Sequence, residues 1–110
     1  MKPKRTPIYT DDGRVACYFN GRELVKSAVE SKHMLRTPPA WAWDVAVIES
    51  GLELGAEALL IETRDTNKRY RVSMDVFLDR KGVLNRGHNL QWFLVLKHWN
   101  SDDSEQLKLV

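Results

Sequence analysis

The sequence predicts an α+β domain: four or five mostly antiparallel strands, with a main helix over about 40–54 and a second, shorter helix over about 22–31 packed on them. Three observations carry that expectation. Two turn signals, Asp11-Asp12-Gly13 and Asp65-Thr66-Asn67-Lys68, each sit between segments that suit a pleated surface. A wide apolar arc runs from Ala40 to Leu54 at helical spacing, and the segment Gln91–Trp99 is apolar on both of the faces a strand would have.

In chain order, Ile8 to Phe19 reads as a hairpin whose second arm, Val15-Ala-Cys-Tyr-Phe19, favours a strand. Asn20, with Glu23 three residues on, has the form of a capping box. Leu24 with Ala28, and Val25 with Val29, would then give the short helix its apolar side, although the β-branched residues also permit a strand. Thr37-Pro38-Pro39 marks the start of the main helix, because threonine caps and proline suits the first helical position. Trp41, Val45, Ile48 and Leu52 form one stripe and Trp43, Val47 and Leu54 another beside it, and Gly55 supplies the left-handed stop.

Ala58–Thr63 and Arg69–Met74 follow as a second hairpin. If Asp65 pairs with Lys68, Glu62 faces Arg71 on a charged side, while Ile61 faces Val72 and Thr63 faces Tyr70 on an apolar one. Asp75 to Lys81 fits a short helical turn, Gly82 to Asn89 a loop, and Gln91–Trp99 an interior strand covered on both sides. The expected organisation is a flexible start over 1–7, a single domain over 8–100 and a flexible acidic tail over 101–110.

Composition narrows the function classes. The chain has 110 residues, 43% apolar and 29% charged, which is ordinary for one globular domain. Lys and Arg number 17 against 15 Asp and Glu, a net charge of +2, so a dedicated nucleic-acid binder would need its charge gathered on one face. Cys17 is the single cysteine; it allows no internal disulfide, and its apolar neighbours point to a buried, inert thiol in a reducing compartment. The start carries charge without an apolar run after it, and no stretch approaches the ~20 apolar residues of a membrane span, so a cytoplasmic protein is expected.

Five constellations of residues could carry chemistry. Arg64, Lys68, Arg69 and Arg71, with Tyr70 among them and Arg86 further on, would suit a surface that follows phosphates and stacks a base, and this is the leading reading: a small non-enzymatic module binding nucleic acid or another polyanion. The bland alternative is a solvated sheet face balanced by Glu62 and Asp65. Trp41 and Trp43, two apart on a helix, would point about 200° apart, leaving one exposed or covered by another chain. Together with Trp99 and the apolar last strand they make a homodimer or protein-partner surface the second reading. A small enzyme using His33 with Asp44 or Glu49 is the third, though no nucleophile stands at a telling spacing. His33, His88 and His98 lack the spacing of metal ligands, and Glu62-Thr63-Arg64 lacks the lysine and the preceding aspartate of a magnesium-dependent nuclease. No cofactor, metal or membrane partner is expected, and no phosphate-binding glycine pattern is present.

Overall fold

A computed structural model describes residues 5–10, 12–29, 39–87 and 89–101, with the side chain of Arg86 left aside. The architecture is α+β, and its described strands number nine, in two sheets, rather than four or five in one. The larger sheet holds six strands in the order β1 (Thr6–Tyr9), β2 (Val15–Phe19), β3 (Glu23–Ala28), β5 (Ala58–Thr63), β6 (Arg69–Ser73) and β9 (Asn100–Ser101). The smaller holds β4 (Ala40–Asp44), β8 (Asn89–Val95) and β7 (Gly82–Arg86), in that order. All pairings are antiparallel except β3 with β5. Two helices, α1 (Val45–Leu54) and α2 (Met74–Arg80), complete the described elements with a 3-10 turn at Leu96–His98.

The helix expected over 22–31 is instead the strand β3. Its capping-box residues serve a different purpose. Asn20 Oδ1 accepts from the backbone N–H groups of Arg22 and Glu23 at 3.0 and 2.7 Å, and the Asn20 side-chain amide donates to Glu23 Oε1 at 3.1 Å. Those contacts would cap a helix, but Gly21 takes φ +98°, which turns the chain back at once. The Asn20 N–H then donates to the Glu23 carbonyl at 3.1 Å and closes a two-residue hairpin. Beyond it Leu24 and Ala28 face the core while Ser27 is exposed, the two-residue period of a strand.

The main helix is half as expected. Its C-terminal part stands, ending at Gly55 in the left-handed conformation, but residues 40–44 are strand. The Thr37-Pro38 start falls outside the described residues. Asp44 is the residue before α1, yet its side chain makes no cap; Asp44 Oδ1 accepts from Gln91 Nε2 at 2.8 Å on β8. The change from helix to strand reverses the tryptophan argument. Two residues apart on a strand means the same face, and Trp41 and Trp43 both lie in the core at 0% and 1% exposure. Trp41 stacks obliquely on Tyr70 with centroids 5.7 Å apart. Lys26, from the inner face of β3, sets its ammonium 4.5 Å from the Trp43 ring centroid and donates to the Ala42 carbonyl at 2.5 Å, joining the two sheets.

The second hairpin is present with a shifted register. Glu62 pairs with Arg69, and Leu60 with Arg71, two residues from the expected alignment. The loop is four residues long, because Asn67 takes φ 55° and the Thr63 hydroxyl accepts from the Lys68 N–H at 2.7 Å. A shift of two preserves which face each side chain is on, so Ile61, Thr63 and Val72 are buried as expected, and Tyr70 is buried with them rather than exposed as a stacking aromatic. The short helix near 75–81 is present as α2, capped by Ser73, whose hydroxyl accepts from the Val76 N–H at 3.2 Å. The loop expected over 82–89 is mostly β7, and β8 is interior to its sheet, with Trp92 and Phe93 half-buried.

The core lies between the sheets, joining Leu24, Leu59 and Ile61 of the larger to Trp41, Trp43 and Leu94 of the smaller, with Ile48 and Phe77 from the helices. Cys17 belongs to it, and burial pushes its thiol up to about 11 against a smaller opposing effect of the Lys26 charge. At pH 8 a thiol reagent should therefore label Cys17 only as fast as the protein opens, and rapid labelling of the folded protein would contradict its burial. Gly51 of α1 lies so close to β3 that a Cβ there would clash with the Leu24 side chain. Leu24 is fully buried, so moving aside would disturb the core around it. Gly51→Ala should lower stability in a denaturant titration by about 1–2 kcal/mol, overpacking outweighing the ~1 kcal/mol helix-propensity gain; a rise in stability would show that Leu24 yields.

Candidate polyanion-binding face

The larger sheet has one face on the core and one outside. Strand pairing lines up the outer residues in rows. Pro7 stands opposite Tyr18, Tyr18 opposite Val25, Val25 beside Leu60, Leu60 opposite Arg71, and Arg71 opposite Asn100. A neighbouring row runs Ser27, Glu62, Arg69. Val25 and Leu60 are buried at 5% and 8%, so they form an apolar floor, and Tyr18 stands beside it with 40% of its surface exposed. A groove of about 320 Å³ crosses this face, bordered by Arg5, Tyr18, Val25, Ser27, Glu62 and Arg64 among others.

The basic residues expected to act together separate into four placements. Arg69 and Arg71 do share the outer face, but each meets a carboxylate. Arg71 Nε lies 2.6 Å from Glu23 Oε2, with the two side chains 39% and 18% exposed, whereas Arg69 Nε lies 3.7 Å from Glu62 Oε2 in a looser, exposed pair. Arg64 follows β5, exposed at the groove edge, and its N–H donates to the Ala28 carbonyl at 2.9 Å. Lys68 is half-buried, and its backbone closes the hairpin through Thr63. Arg86 belongs to the other sheet, at the end of β7 opposite Asn89. Tyr70, named beside these residues as a stacking aromatic, is buried at 6% on the inner face. Alternation along β6 puts it opposite Arg69 and Arg71 in direction, so it is Tyr18 that accompanies the arginines.

Arg5 and Tyr18 are the residues that the sequence argument missed. Arg5 and Arg64 make no ion pair with any described residue, in contrast to Arg69 and Arg71. The signal for Tyr18 was present in Val15-Ala-Cys-Tyr-Phe19: with Cys17 and Phe19 inward, Tyr18 must point outward. What could not be read was which strands would lie beside it.

The other candidate groups fare differently. Trp41, Trp43 and Trp99 are all interior; the Trp99 indole donates to the Leu94 carbonyl at 3.0 Å and its ring meets Phe77 edge-on at 6.5 Å. None presents a surface to a partner. His33 lies outside the described residues, Asp44 is engaged by Gln91, and Glu49 is exposed on α1. A larger cleft of about 410 Å³ opens between the β1–β2 turn, the start of α1 and the β7–β8 turn. Its charged residues are already engaged: Arg14 Nε lies 2.9 Å from Asp12, and the Thr10 hydroxyl, with Arg14 behind it, holds the Asp12 carboxyl below its ordinary range. Among the described residues no three His, Cys, Asp or Glu side chains gather as a metal site, and no helix is long and apolar enough to cross a membrane.

No family model, curated protein or solved structure matches this chain.

Glu23 shows how the face is held together. Burial alone would raise its carboxyl, but hydrogen bonds from Arg71 and Asn20 and the charges of Arg71 and Arg22 outweigh that and hold it below the ordinary value. A depressed carboxyl contributes stability that is fully present above the unfolded value near ~4.3 and is lost as pH falls through the lower folded value. Glu23→Gln should therefore flatten the acid limb of a plot of denaturation midpoint against pH below about pH 5. An unchanged acid limb would mean that the Arg71 pair adds nothing.

Proposed function

We propose that this protein is a small non-enzymatic binding module that holds an anionic polymer on the outer face of its larger sheet. The observation carrying the reading is that Arg5 and Arg64, without carboxylate partners among the described residues, border one groove on the face that also bears Arg69 and Arg71. Cations gathered on one side attract a polyanion even when the whole chain carries only +2. Glu62 and Glu23 temper that attraction, so Arg71 acts chiefly as a brace while Arg5, Arg64 and the loosely paired Arg69 supply the charge. A module with about three such contacts binds weakly and with a shallow salt dependence.

The homodimer reading loses its tryptophans to the core, and the enzyme reading has no assembled group to work with among the described residues. The polyanion reading is tested by titrating a fluorescent oligonucleotide at several salt concentrations and following anisotropy. Affinity should fall with a log–log slope of about −2, close to 0.7 for each of roughly three contacts to a single strand. The double variant Arg5→Ala, Arg64→Ala should bind more weakly with a slope reduced by more than about 1. No binding at low salt, or an unchanged slope in the double variant, would remove this face as the site.

A further inference from the structure

We infer that the polymer is a single-stranded nucleic acid and that Tyr18 is the platform on which one of its bases stacks; this rests on the polyanion reading above. Charge does not distinguish among nucleic acids, acidic polysaccharides and acidic proteins. The chemistry between the charges does. Tyr18 is the aromatic that lines this groove, 40% accessible, and it stands opposite Val25, which lines the groove with it. A flat ring next to an apolar floor, with cations at its border, is what a base and its flanking phosphates require. A sugar polymer offers no π-face to such a ring, and a duplex hides its base faces inside the stack.

The positions of the polar residues agree with a base lying in the groove against Tyr18. Ser27 follows Val25 by two residues on β3 and stands beside Glu62 on β5, so a hydroxyl and a carboxylate border the groove with the ring. A carboxylate there repels phosphate but accepts from an exocyclic base amine. It is a poor feature for a surface that only attracts negative charge and a useful one for a surface that meets a base edge. Magnitude points the same way. About three cationic contacts give weak association with a shallow salt dependence, and stacking is what lifts a weakly basic face to useful affinity.

The test compares a labelled single strand of about 12 nucleotides, the matching duplex and labelled heparin, each titrated with wild type and with Tyr18→Ala, Tyr18→Leu and Tyr18→Phe. Leucine keeps an apolar cover over Val25 without an aromatic face, so it separates stacking from folding if the alanine variant unfolds; tryptophan fluorescence reports the fold of each. The single strand should bind more tightly than the duplex or heparin. Tyr18→Leu should weaken the single strand by roughly 5- to 150-fold with its salt slope unchanged, and Tyr18→Phe should retain wild-type affinity. If heparin or duplex binds at least as well as the single strand, or if Tyr18→Leu binds like wild type, the base-stacking inference is overturned while the polyanion reading stands. If no polyanion binds wild type, both fall.

Discussion

The parallel pairing of β3 with β5 is the constraint on which the rest of this structure depends. It joins two units that are local in sequence, the β1–β2–β3 meander and the β5–β6 hairpin, into one sheet. Parallel neighbours need a long crossover, and here the chain between them includes β4 and α1. The pairing makes β3 a central strand, with Leu24 and Ala28 against the core and Val25 in the outer floor. It also aligns Tyr18 with Arg71 through Val25 and Leu60, roughly 14 Å apart at three strand spacings. Without it the aromatic and the arginines would not share a face.

The smaller sheet closes the core from the other side, and Lys26 on Trp43 and Ala42 ties the two sheets together. A lysine pointing inward would ordinarily be costly. Here the ammonium meets a carbonyl and an indole face at once, so its stem fills space while its head is satisfied. On the other side of the core, α1 sets Gly51 against Leu24 of β3 and leaves Leu52 and Leu54 40% and 47% exposed.

Much of the local structure was legible in the residues, and what failed did so for identifiable reasons. The hairpins, the stop at Gly55 and the inward and outward faces of β5 and β6 follow from turn chemistry and two-residue alternation, which are properties of short segments. The register of that hairpin was two residues off because Asn67 took the left-handed conformation and lengthened the loop. Residues 22–28 and 40–44 carry patterns compatible with either helix or strand, and partners far along the chain decided both. The candidate face was half legible for the same reason. Arg69 and Arg71 alternate visibly, but Glu23, Arg5 and Tyr18 reach them only through the non-local β3–β5 contact, and Tyr70, between the two arginines, alternates inward.

The central claim is that this pairing assembles a single ligand face from four strands. A two-dimensional amide spectrum recorded while a short single-stranded oligonucleotide is added tests it most directly. The account predicts that shifts concentrate at Tyr18, Ser27, Glu62, Arg64 and Arg69, residues distant in sequence but adjacent on the outer face. Shifts concentrated instead on β7 and β8, or around Asp12 and Arg14 at the other cleft, would contradict it.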